Sequence, residues 1–154
     1  METNVLNFIV LALLVLVLLI SSYTDLKSRK IYNVVTITAI AVIVVIRIFH
    51  HPQGIVSYLW GMLPALIFFI AAFISKGKAI GGGDILLILF LGLTIGVIGT
   101  AMTILYSMVL AVLFSLIYYV VTNRKFTAMP MAVFLTAGVL LFYCQPYWLV
   151  PIIG

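Results

Sequence analysis

Long apolar runs separated by short polar clusters organise this chain. A membrane-crossing helix needs about 20 apolar residues at 1.5 Å rise each. Runs of that kind occupy residues 5–21, 31–49, 55–74 and 128–153, and one longer stretch fills 85–121. As a single helix the long stretch would measure about 55 Å, well beyond the roughly 30 Å hydrocarbon core of a bilayer. It is expected to divide near Gly96–Thr100, where Gly96 and Gly99 weaken helix and permit a tight turn. The pattern predicts an all-α, polytopic membrane protein with about six transmembrane helices. Pro146 and Pro151 are expected to fray or end the sixth.

Composition narrows the class. Hydrophobic residues make up 66% of the 154 and charged residues 7%, with a mean hydropathy of +1.41. A soluble domain has roughly 45–50% apolar and about 25% charged residues. So few polar groups cannot cover a water-facing surface, which excludes a soluble fold, a disordered chain and a nucleic-acid binder. The single cysteine, Cys144, excludes an internal disulfide and an all-cysteine metal site. No loop is long enough for a soluble domain, so residues 1–154 read as one membrane-embedded domain whose surroundings are lipid.

The basic residues give the orientation. Lys27, Arg29 and Lys30 follow the first run, Lys76 and Lys78 the third, and Arg124 and Lys125 the fifth; of the eight cations only Arg47 lies elsewhere. The positive-inside rule places those alternate loops in the cytoplasm and both termini outside. The same rule requires an even number of crossings between Lys78 and Arg124, which again divides the long run. A cleaved signal peptide is disfavoured: the leader Met-Glu-Thr-Asn has no cation and no A-x-A site follows.

Three acidic residues remain to be placed. Glu2 lies at the outer terminus, where it is easily hydrated. Asp25 falls just past the cytoplasmic end of the first run and Asp84 just before the fourth, so both aspartates are expected at one membrane face. The plain readings are an N-cap for Asp84 and an interfacial anchor for Asp25, offsetting Lys27, Arg29 and Lys30. Context favours chemistry. Gly81-Gly82-Gly83-Asp84 gives G-x-G-D at the start of a helix, where glycine lets a peptide backbone approach the carboxylate. A phosphate loop is excluded because no G-K-[ST] follows, and a dinucleotide fold because no βαβ pattern precedes.

Asp25-Leu-Lys-Ser-Arg-Lys-Ile-Tyr-Asn33, followed by Gly81-Gly-Gly-Asp84, resembles the two motifs of the type IV prepilin peptidases and archaeal preflagellin peptidases. These are intramembrane aspartic proteases of the G-x-G-D type. The resemblance implies that Asp25 and Asp84 are catalytic and that Asn33, Gly81 and Gly83 support them. Met129-Pro130 echoes a proline-containing segment at the sixth span. Tyr32 stands where the family usually has proline, and Leu86 where a lysine commonly follows the second aspartate. The cysteine-paired insert associated with N-methylation has no counterpart here, so the resemblance implies a compact, peptidase-only form of the Tad/Flp kind. Its implied substrate is a prepilin-like protein with a basic leader and a hydrophobic helix, cut at the cytoplasmic membrane face.

Aspartic hydrolysis needs two carboxylates sharing a proton and neither cofactor nor metal. Only two aspartates and two histidines are at hand, and His50-His51 fall in an outer loop. Helix-end electrostatics would make Asp84, at a helix N-terminus, the initial base, and Asp25, at a C-terminus, the proton-bearing partner. Two other classes stay open: a small transporter or proton pathway using both aspartates, and a non-catalytic assembly subunit of peptidase descent. Midplane charges and paired repeats would mark a carrier, and neither is visible. The cation-rich cytoplasmic face would repel a basic leader unless anionic lipid screens it. The sequence assigns no oligomeric state.

The remaining marks have structural readings. Gly92 and Gly96 form G-x-x-x-G, expected to pack helices within the bundle. Tyr58, Trp60, Tyr143, Tyr147 and Trp148 read as outer interfacial anchors, and Tyr118 and Tyr119 as inner ones. Arg47 is expected to snorkel outward, and Cys144 to be a small buried or lipid-facing residue.

Overall fold

The computed structural model describes residues 2–29, 31–50, 53–76, 80–123 and 130–144. These are helical apart from short connections, with no strand among the described residues. The elements are α1 (Glu2–Ser28), α2 (Asn33–Phe49), α3 (Ile55–Gly61), α4 (Leu63–Ile74), α5 (Gly82–Thr122) and α6 (Met131–Cys144). Three stretches have the length and apolarity to cross a membrane: Val5–Ser28, Ile55–Ile74 and Gly82–Thr122. The helices α2 and α6 are shorter apolar helices. Length therefore yields three spans where six were expected, because Gly82–Thr122 is one unbroken apolar stretch by length although it turns at Gly96, and the short helices fall below a full crossing.

Local chemistry explains where the helices break. Pro64 sits in the first turn of α4, where its missing N–H bends the 55–74 segment at Met62 without costing an internal bond. Within α5, Gly96 takes φ 74°, a left-handed value, so the 41-residue element consists of two arms, 82–95 and 97–122. Thr100 Oγ1 donates to the Gly96 carbonyl at 2.7 Å and closes the turn. The division expected near residues 96–100 is present.

The first arm of α5 is the centre of the bundle. Leu87, Ile88, Phe90 and Leu91 have no exposed surface, and α2, α3 and α4 all pack on α5. One buried stripe on α1 runs through Val10, Leu14, Val17, Ser21 and Asp25; another on α2 runs through Thr36, Ala39, Ile43 and Arg47. Both follow the i, i+3/i+4 spacing of a single helix face. Asp25 and Arg47 are thus interior because of the face they occupy. Small residues set the closest approaches: the backbones of Gly61 and Gly92 meet directly, and Gly138 lies on the Thr103 carbonyl. Gly92 packs inside the bundle as expected, while Gly96 forms the break.

Arg47 does not snorkel. It is 7% exposed, and its Nε donates to the Leu93 carbonyl at 3.1 Å. Nη2 donates to the Thr94 carbonyl, Nη1 to the His50 carbonyl at 3.4 Å, and the guanidinium lies 4.2 Å from the Tyr58 ring centroid. The break at Gly96 strands the last carbonyls of the first arm, and Arg47 satisfies them. Tyr58 is accordingly buried at 2% exposure rather than being a surface anchor, whereas Trp60 and Tyr143 are exposed. Tyr119 is exposed too, and so is the free thiol of Cys144. Tyr147, Trp148, Pro146, Pro151 and His51 lie outside the described residues.

Candidate active site

Asp25 sits near the C-terminal end of α1, 7% exposed. Its Oδ2 accepts the backbone N–H of Ala132 at 2.9 Å. Ala132 is the second residue of α6, where N–H groups have no partner inside their own helix. Pro130 precedes α6 and starts it abruptly, which leaves those donors available. One turn earlier on α1, Ser22 Oγ lies 2.6 Å from Thr136 Oγ1 and 3.3 Å from the Ala132 carbonyl. The α1–α6 seam thereby fixes the direction of the carboxylate. Ala132 was missed from sequence because a backbone donor leaves no residue-type signature; Pro130 was its only signal.

Asp84 is the third residue of α5, partly buried. Gly81 is the N-cap, in ordinary extended geometry, so the N-cap role expected of Asp84 falls to Gly81. Asp84 instead turns its carboxylate back toward Gly81, the direction that acidic residues take at the third position of a capping box. The three glycines differ in what surrounds them. A Cβ on Gly81 would sit 3.2 Å from Asp84 Oδ2. A Cβ on Gly82 would meet nothing within 4 Å, whereas one on Gly83 would come within 2.8 Å of Ile31 Cβ and 3.4 Å of Asn33 Oδ1. The first and third glycines of G-x-G-D lie against site groups, and the middle position faces open space.

These contacts bring the two motifs to one end of the bundle. Gly83, the residue before Asp84, lies against Ile31 and Asn33, which follow the Asp25 segment. The described cations Lys27, Arg29 and Lys76 are exposed, and neither aspartate forms an ion pair among the described residues. An interfacial anchor offset by Lys27 and Arg29 is therefore not what Asp25 is. Lys30, Lys78, Arg124, Lys125 and Met129 lie outside the described residues. The contrast drawn from helix ends is narrowed: Asp84 is at the N-terminus of α5, while Asp25, near the C-terminus of α1, also meets the N-terminus of α6.

The two departures from the motif pattern have clear surroundings. Tyr32 is the N-cap of α2 with φ −72°, within the range that a proline would impose. Leu86 lines an apolar groove of about 410 Å³ with Met62, Leu66, Phe69 and Leu89. No group of three metal-ligating side chains occurs among the described residues. Two carboxylates, one oriented by the Ala132 N–H and the other turned against Gly81, with free oxygens left over, can hold and deprotonate a water.

Residues 12–116, more than half of the chain, match the model of the type IV leader peptidase family. No curated protein and no solved structure matches the chain.

Proposed function

Because the chain belongs to the type IV leader peptidase family, we propose that it is an intramembrane aspartic endopeptidase that removes the basic leader from prepilin-like proteins. Asp25 and Asp84 form the catalytic pair. One carboxylate takes a proton from the water as its oxygen attacks the scissile carbonyl carbon. The other, protonated, donates to the carbonyl oxygen, and the proton gained by the first passes to the leaving amine as the C–N bond breaks. The Ala132 N–H holds the Asp25 carboxylate and Gly81 leaves room beside that of Asp84; Gly83 and Asn33 keep the α2 and α5 starts in register.

The observation that supports this reading most is the packing of Gly83, beside Asp84, against Ile31 and Asn33, which brings two motifs far apart in the chain to one end of the bundle. That end carries Lys27, Arg29 and Lys76, which by the positive-inside rule makes it cytoplasmic, in the cell membrane, with both termini outside. On this reading the two arms of α5 cross separately, giving six passes. The reaction needs neither metal nor organic cofactor, and the chain has no methyltransferase function. A transporter reading finds less support, since both aspartates lie at one rim and not at a midplane.

Co-expression of a candidate prepilin with the wild type, Asp25→Asn and Asp84→Asn tests the proposal. Asparagine keeps the shape but cannot move the proton, so the wild type should shorten the pilin and each variant should leave it full-length. Normal leader removal by either variant rejects the mechanism.

A further inference from the structure

At the opposite end of the bundle from the aspartates, a polar pocket of about 320 Å³ opens among α1, α2, α5 and α6, and the function above makes no use of it. Arg47, Tyr58, Asn7, Gln53 and Tyr143 supply its polar groups, and none of its lining residues is acidic. Arg47 and Tyr58 are both more than nine-tenths buried.

Hydrogen-bonding capacity at this pocket is lopsided. Asn7 Oδ1 is already paired with His50 Nε2 at 2.9 Å, and Gln53 Oε1 accepts from Ser57 Oγ at 3.5 Å. Each amide oxygen thus already accepts one hydrogen bond, while the two NH₂ groups donate to no described residue. Arg47 has five N–H groups, of which three carbonyls take one each. The Tyr58 hydroxyl has no hydrogen-bond partner among the described residues, yet its ring is held under the guanidinium. What is left over is donors around one buried positive charge. Asp25 and Asp84 are at the far end of the bundle.

We propose that this pocket binds a phosphate group, with Arg47 and Tyr58 as the central donors and the Asn7 and Gln53 amides at its rim. A phosphate accepts through all its oxygens and offers the planar Arg fork a bidentate partner. Phe142 and Leu11 also line the pocket, so the phosphate of a phospholipid headgroup and a free phosphate present the same chemistry to it.

The experiment uses the full chain, delipidated in a neutral detergent and titrated separately with phosphatidylglycerol and inorganic phosphate, with binding followed by tyrosine fluorescence and melting temperature. Tyr58→Phe removes only the hydroxyl and keeps the ring under Arg47; Gln53→Leu removes a rim donor. Saturable binding of one equivalent of phosphatidylglycerol, weakened about tenfold by Tyr58→Phe, supports a lipid headgroup site. The same saturation and loss with inorganic phosphate supports a site for the free anion. No saturable binding of either, or binding of equal strength in the wild type and both variants, overturns the proposal.

Discussion

A methyl group at residue 83 would press on Ile31, whereas one at residue 82 would enter open space. Gly83→Ala should therefore force the start of α2 away from α5, destabilise the fold by about 1–3 kcal/mol and abolish leader removal. Gly82→Ala should keep full activity and leave stability unchanged or raised by about 0.5 kcal/mol. Thermal melts and processing assays on the pair check both outcomes. Tyr32 already holds a proline-compatible φ, so Tyr32→Pro should raise stability by about 0.4–1 kcal/mol with activity retained, by restricting the unfolded chain. A lower melting temperature would show that the Tyr32 N–H or side chain matters in the fold. The acidic residues and the glycines around them were legible in sequence, because a charge in an apolar chain stands out and glycine marks close approach. Asp84's position at the third residue of its helix was not, since one residue of cap register depends on backbone geometry. The Ala132 donor was not either, as any residue type supplies an N–H.

Helices here end and break where specific backbone groups demand it. Arg29, Lys76 and Asn123 follow α1, α4 and α5 in the left-handed conformation, the usual C-terminal stop. Lysine is strained there and asparagine less so. Lys76→Gly should thus stabilise by about 0.5–1 kcal/mol, more than Asn123→Gly does, as denaturant titrations of the two variants would show. Where Gly61 and Gly92 join α3 to the centre of α5, a side chain has no room. Gly92→Ala should cost about 1–3 kcal/mol through overpacking, measurable as a lowered melting temperature. The apolar runs predicted the helices well because lipid leaves the backbone little alternative. The break at Gly96 could be foreseen from the excess length of the run. The bend at Met62 was overlooked although Pro64 marks it: the 55–74 run has the length of one span and gave no reason to divide it.

Across the whole bundle, polar interactions gather at two ends joined by α2 and the first arm of α5. One end holds Asp25, Asp84, Asn33 and the α6 start; the other holds Arg47, Tyr58, Asn7 and His50. The first end was legible because its residues form sequence motifs. The second was not, since Arg47 acquires its partners from a helix far along the chain, and a lone cation near a helix end ordinarily snorkels. The central claim is that Asp25 and Asp84 act as a unit on one peptide bond. Groups that act as a unit lose nearly everything at the first deletion. The most direct test is the rate of leader release from a prepilin by the purified wild type, Asp25→Asn, Asp84→Asn and the double variant, all confirmed as folded. Each single variant is predicted to fall to the residual rate of the double. A single variant that retains substantial turnover, with the double far slower still, would contradict a shared catalytic step.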